Sequence, residues 1–287
     1  MSTPESPEQF EARREALFEK LQLKEQYKSQ IKALNEAGIL EILPETNEIG
    51  IVGIDGREYP VPTISEIKKR IQDPETIALL EAKFEEGFKD LLLVPHAMPL
   101  SVLADRFAHE LKRKVQKENL HESEINPDRP FTMQDEMVRS DAEGELLYLQ
   151  KDGNPENAKT KREILEAGEA WQVMFLDTEK RNTESIFSLS DQELESENQV
   201  GQGESRCTPE SLLTEAIVQL RREDVRIAPD VSADAFAVHQ YFEGAFVQAK
   251  AWRRVPQITW MEEMKAFSLN ISDQPMRKSN YRPNVRI

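Results

Sequence analysis

The last stretch of the chain, residues 252–287, constrains the fold most. After a long helical and acidic pattern the sequence breaks into short apolar pieces separated by Pro, Asn, Ser and Asp. It ends on Tyr281-Arg282-Pro283-Asn284-Val285-Arg286-Ile287. Loose termini are normally polar, so an end made of β-forming apolar residues predicts a packed strand. Upstream, Val255, Ile258, Trp260, Phe267, Leu269 and Ile271 alternate with polar residues, the pattern of a small sheet anchored on one face. Two readings stay open for that sheet. Its polar residues face outward and meet a ligand, or the layer simply covers the helices before it.

Those helices make the expected fold class α+β. From Ser6-Pro7-Glu8 to Gly38, Phe10, Leu17, Leu21, Ile31 and Leu34 recur at helical spacing, predicting one long amphipathic helix over 6–37 with its apolar stripe on the protein's own core. Asp55-Gly56 between Ile51–Ile54 and Arg57–Val61 predicts a hairpin over 49–61, with Pro60 and Pro62 marking the second strand as an edge. Helices are expected from Thr63 or Ser65 to Ile71, from Pro74 to about Phe88 and from Pro99 to about Lys117. A buried strand is expected at Leu91–Val94. Residues 119–160 read as turns with one short strand at Leu146–Leu149, followed by a brief helix over 161–168 and a strand at Trp171–Leu176. Residues 178–206 are poor in apolar side chains and read as a flexible polar linker or loop. Thr208-Pro209-Glu210 then opens a clean helix over 210–222, and Phe236–Phe246 fits either a helix or a strand. The organisation expected is a helix-rich α+β region over 1–177, the linker over 178–206 and a C-terminal α+β region over 207–287, with the linker free to be an excursion on a single body.

Charge narrows the function classes. Lys+Arg 37 against Asp+Glu 53 gives −16, which repels phosphate backbones and anionic lipid and argues against nucleic-acid or membrane-surface partners. Arg253, Arg254, Arg277, Lys278, Arg282 and Arg286 make the C-terminus the least acidic part. The N-terminus lacks a basic and apolar leader pattern, no apolar run approaches bilayer length, and the lone cysteine cannot form an internal disulfide. A cytoplasmic protein is expected.

No catalytic constellation stands out. His109-Glu110 begins like a zinc-hydrolase helix, but Arg113 occupies the position of the second ligand. His121 with Glu122 and Glu124 reads as a solvated loop, and His96 as a satisfied residue at a strand end. Gly201-x-Gly203 lacks the strand and the Lys of a phosphate loop. Cys207 at a helix start, with His239 as its base, leaves a Cys-dependent hydrolase as one alternative. No cofactor and no metal site is expected.

Three segments together carry a resemblance. They are Ile49–Pro62 with Glu86–Pro95 and Met98-Pro99-Leu100; Lys159–Leu165 with Trp171–Asp177; and Thr208-Pro209-Glu210 with the closing Asn280–Ile287. In order and spacing they resemble an uncharacterised family of proteins from uncultured bacteria. Its C-terminal part is similar to the C-type-lectin-like variable proteins of diversity-generating retroelements. That resemblance implies a rigid terminal scaffold with variable surface positions and no catalytic motif. It places ligand-binding positions at Trp260, Ser268, Asn270, Ser272, Asp273 and Asn280.

The function expected is therefore non-enzymatic recognition, with the 250–287 surface contacting a protein or other macromolecular ligand. The alternative is an accessory or regulatory subunit of a larger bacterial complex, such as a defence assembly, docked through the 6–37 helix.

Overall fold

Ser6 begins the first helix with a reciprocal cap: Gln9 N–H donates to Ser6 Oγ at 3.2 Å, and Ser6 N–H donates to Gln9 Oε1 at 3.0 Å. The computed structural model describes residues 6–119, 125–150, 154–177, 205, 207–221, 240–241, 245–248, 253–254, 256–261, 263–271 and 284–287. The expected single helix over 6–37 is two, α1 (Pro7–Lys20) and α2 (Leu23–Glu36), broken where Gln22 adopts a left-handed φ of 47°. The break lets two short apolar faces turn separately. Leu17, Phe18 and Leu21 are buried around the end of α1, which packs on helix α4 (Pro74–Glu85), while Leu23, Ala33 and Leu34 are buried on α2, which packs on the strand Phe88–Val94. On a straight helix, at about 100° per residue, the two sets would fall on roughly opposite sides.

The hairpin forms as its turn residues dictate. Strands β1 (Glu41–Ile42), β2 (Ile49–Val52) and β3 (Glu58–Pro60) make an antiparallel sheet in that order. Gly56 supplies a φ of +76° in the β2–β3 turn, and Asp55 accepts from Arg57 N–H and from Tyr59 O–H at 2.6 Å. Burial, and then the hydrogen bond to Asp55, push the Tyr59 phenol up to about 12. Strand β1 adds on the far side of β2 through a turn that holds Pro44 and Asn47, the latter at a φ of 56°. Beyond the hairpin, Thr63 and Glu66 cap α3 (Ile64–Arg70) reciprocally.

Helix α4 stops at Glu85, and the strand expected at Leu91–Val94 starts earlier, as β4 (Phe88–Val94), after Gly87 turns the chain with φ +107°. Helix α5 (Leu100–Glu118) buries Leu103, Phe107, Leu111 and Val115 at the expected spacing. The region read as turns holds a further strand and helix, β5 (Phe131–Met133) and α6 (Asp135–Glu143), before β6 (Leu146–Tyr148), β7 (Lys159–Thr160), α7 (Lys161–Glu166) and β8 (Gln172–Asp177). Helix α8 (Pro209–Leu220) is capped by Thr208 and buried on almost every side, as expected of a helix at the centre of a fold. Short strands β9 (Gln240–Tyr241), β10 (Ala245–Gln248), β11 (Arg253–Arg254), β12 (Pro256–Met261), β13 (Ala266–Ile271) and β14 (Asn284–Arg286) follow.

The molecule is α+β, and its two halves are interleaved. Strand β14 pairs antiparallel with β8, which pairs with β4. Strand β13 lies parallel to β5 and antiparallel to β12, and β10 pairs with β6. Three of the four sheets thus draw strands from both sides of residues 178–204. The 207–287 region completes sheets begun before residue 178, and α8 packs on α5, β4 and α2. The linker reading of 178–206 falls, but for Ser205, outside the described residues. Among the described residues no helix is long and apolar enough to cross a membrane.

Candidate functional site

The terminal strands keep their expected alternation but not their expected exposure. In the backbone register of β12 and β13, Ile258 pairs with Leu269 and Trp260 with Phe267, while Gln257 pairs with Asn270 and Thr259 with Ser268. The polar set shares one face of the sheet. That face is buried: Ser268 is 0% and Asn270 8% exposed. Both were expected on the outside, and the structure corrects this, because β13 runs between β12 and β5 with α6 packed against it. Asn270 Nδ2 donates to Thr259 Oγ1 at 3.0 Å, while Gln257 Oε1, Ser268 Oγ and Asn270 Oδ1 have no hydrogen-bond partner among the described residues. Trp260 is placed by its backbone on β12. Ser272, Asp273 and Asn280 lie outside the described residues, as do His121 and His239.

Cys207 is buried, its Sγ 3.1 Å from Ser211 Oγ inside the capping turn of α8. His109 is exposed on α5, whereas its neighbour Glu110 is fully buried and ion-paired to Arg113 and Arg221.

A second polar cluster, which the sequence reading did not assemble, joins five parts of the chain. Lys161 Nζ lies 2.7 Å from Asp141 Oδ1 and 2.9 Å from Glu210 Oε1, and donates to Met98 O at 3.2 Å. Tyr148 O–H donates to Glu210 Oε1 at 2.6 Å, and Leu100 N–H to Asp141 Oδ2 at 2.8 Å, so that α6 caps α5. The His96 imidazole packs edge-on against the Tyr148 ring, centroids 4.7 Å apart, and neither ring nitrogen has a hydrogen-bond partner among the described residues. Burial alone would lower the Lys161 pKa, but the charges of Glu210 and Asp141 outweigh it and raise it. A raised lysine is protonated and is not a nucleophile. Burial, then Lys161 and Arg286, hold the His96 imidazole far below its ordinary value, with Asp141 pulling the other way. Burial, then the charges of Glu210 and Asp141, push the Tyr148 phenol well up. The cluster therefore works as an internal clamp. The one local sign of it in the sequence is Lys161 as the first residue of a helix, where the backbone dipole disfavours a cation.

The open site lies elsewhere. A groove of about 720 Å³ runs along α2, bounded by the outer edge of β4 and by the last turn of α8 with Arg221. Gln26 sets one wall. Its Nε2 donates to Leu21 O at 2.6 Å and Lys89 O at 2.7 Å, and its Oε1 accepts from Leu91 N–H at 2.6 Å. One side-chain amide thus ties the α1–α2 break to the edge of β4, where a neighbouring strand would otherwise pair. One helical turn on, Gln30 is 8% exposed, lines the same groove, and its Oε1 has no partner among the described residues. Lys89 sits over the Phe84 ring at 5.2 Å, and Lys20 over the same ring at 5.8 Å, which gives this end of the groove a cationic lining on an otherwise acidic protein. Among the described residues no group of three His, Cys, Asp or Glu side chains is arranged to hold a metal.

Comparison with protein-family models, with curated proteins and with solved structures finds no match to this chain.

Proposed function

We propose that this chain is a non-enzymatic recognition protein that binds a segment of another polypeptide in the groove between α2, β4 and α8. The observation that carries the reading is Gln30. A carboxamide more than nine-tenths buried, with an acceptor oxygen unpaired among the described residues, costs stability unless water or a ligand completes it. Gln26 beside it is already bonded to Leu21, Lys89 and Leu91 of the same chain, so Gln30 is the groove amide left for a ligand. The burial of Ser268 and Asn270 moves the recognition surface away from those two positions. Docking as an accessory subunit through residues 6–37 would use the same wall of the groove, since α2 forms it.

The test is selection of a random displayed-peptide library on the full chain, followed by titration of the enriched peptides against variants. Gln30→Ala should weaken binding about fivefold, the worth of one hydrogen bond. Lys89→Glu should weaken peptides that carry a carboxylate. Enriched peptides indifferent to both changes would remove the groove from the reading. Loss on substituting Trp260, Ser272, Asp273 or Asn280 would return recognition to the terminal segment.

A further inference from the structure

We infer that the outer edge of β1 is a second docking surface, and that its occupant is a partner segment alternating basic with aliphatic residues, added as a fourth strand to the β1-β2-β3 sheet. It is independent of the groove. Ile42 on β1 is 70% exposed and Ile49 on β2 is 49% exposed, and the two are direct cross-strand partners. They are the two most exposed large aliphatic side chains among the described residues, and they lie directly opposite one another across the strand pair. A single exposed isoleucine needs no explanation; an adjacent pair on a sheet edge does.

Among the described residues no strand pairs with the outer side of the backbone at Ile42. Leu43 N–H donates to Glu48 O at 2.8 Å, so Leu43 points its peptide groups toward β2. Strand alternation then turns the N–H and C=O of Ile42 away from β2, on the side where no described strand pairs. Main-chain pairing there supplies affinity, and the isoleucine pair supplies a site for one side chain of the added strand.

Charge selects the occupant. Residues 39–56 hold Glu41, Glu45, Glu48 and Asp55 and no Lys or Arg. Glu41, Glu45 and Glu48 are exposed, and Glu41 and Glu48, each one residue from the isoleucine pair, lie on the opposite face of the same sheet. The same edge on a second copy would bring like charges together on a chain of net charge −16, so self-pairing is disfavoured. A segment with lysine or arginine at alternate positions meets these carboxylates while its aliphatic residues cover Ile42 and Ile49.

The probe is a fluorescently labelled, end-capped heptapeptide alternating lysine with isoleucine or valine, titrated against the full chain by anisotropy. We expect saturable binding that weakens steeply as salt rises from about 50 to about 300 mM. Ile42→Ser and Ile49→Ser, both at exposed positions, should each lower affinity about tenfold while leaving the melting temperature in place. N-methylation of the peptide on alternate amides should abolish binding, because it removes the donors a strand must supply. Ile42→Pro should do the same by removing the outward N–H, and edge strands tolerate proline. Equal binding of a glutamate-for-lysine peptide, indifference to both serine substitutions, or concentration-dependent self-association in place of peptide binding would each overturn the inference. None of these outcomes alters the groove assay, in which Gln30 and Lys89 are the residues read.

Discussion

Two buried polar regions of this molecule invite comparison: the clamp of His96, Asp141, Tyr148, Lys161 and Glu210, and the ladder of Gln257, Thr259, Ser268 and Asn270 on β12 and β13. Both hold polar side chains away from water, and both leave some atoms unpaired. The clamp is charged and joins elements far apart in the chain, with Lys161 satisfied by three oxygens. The ladder is neutral and confined to one strand pair, with one hydrogen bond, Asn270 to Thr259. Removing a member of a charged cluster strands an ion in the interior, whereas removing a neutral, unpaired group strands nothing. The clamp should therefore resist substitution and the ladder tolerate it.

The largest effect should come from Lys161→Met. It leaves Asp141 and Glu210 as neighbouring carboxylates without a counter-charge, and stability should fall by about 3–5 kcal/mol in chemical denaturation. A loss below about 1 kcal/mol would mean that the clamp is no more demanding than the ladder. Gln26→Ala comes next. It frees Leu91 N–H, Lys89 O and Leu21 O, and a cost of about 1–3 kcal/mol is expected. Gln30→Ala, one turn away, should cost far less, because the Gln30 amide has no hydrogen bond to lose.

These residues also mark where sequence reading works. The hairpin was legible because Asp55-Gly56 is a local signal, and α5 because Leu103, Phe107, Leu111 and Val115 repeat within one helix. The α1–α2 break was not, since Gln22 carries no glycine or proline signature and is held by Gln26 reaching β4. Helix α6 was hidden by its shortness and its acids; Met137 is its one large apolar core residue. The clamp was illegible because its members come from five separate elements and meet only after the sheets interleave. For the ladder, alternation gave the correct face of the strand. It said nothing of what packs on that face, so Ser268 and Asn270 were expected outside. The groove escaped notice for the same reason as the clamp: Gln26 and Gln30 read as ordinary solvated helix residues until β4 is placed beside them.

Acid sharpens the comparison in another way. His96 has a folded pKa far below its ordinary 6.5, with Lys161, Arg286, Asp141 and Tyr148 around it. Above about pH 6.5 the imidazole is neutral in both states and contributes no pH dependence. Below that value the unfolded chain binds a proton that the folded chain refuses, so stability should fall by about 1.4 kcal/mol per pH unit on this account. His96→Phe keeps an aromatic edge against Tyr148 and removes the proton. Its stability between about pH 6.5 and 5 should decline less than that of the parent protein, as followed by thermal melts at each pH. Parallel declines would show that His96 is protonated in the folded state. The base side has the opposite sign. Lys161 has a raised folded pKa, so its stabilisation is complete below its ordinary value near 10.5 and is lost as pH climbs through the folded value.

The smallest effect is reserved for Ser268→Ala. The hydroxyl is fully buried and has no partner among the described residues, so the native protein bears its desolvation cost without return. Alanine fits the same backbone on β13, removes one oxygen and leaves Asn270 bonded to Thr259. A neutral change or a gain of up to about 1 kcal/mol is expected, against the several lost at Lys161. A loss above about 1 kcal/mol would mean that the Ser268 hydroxyl is satisfied in solution, by water or by a bound group. In that event the ladder would belong with the clamp as a built polar site, and β12 and β13 would regain a part in recognition.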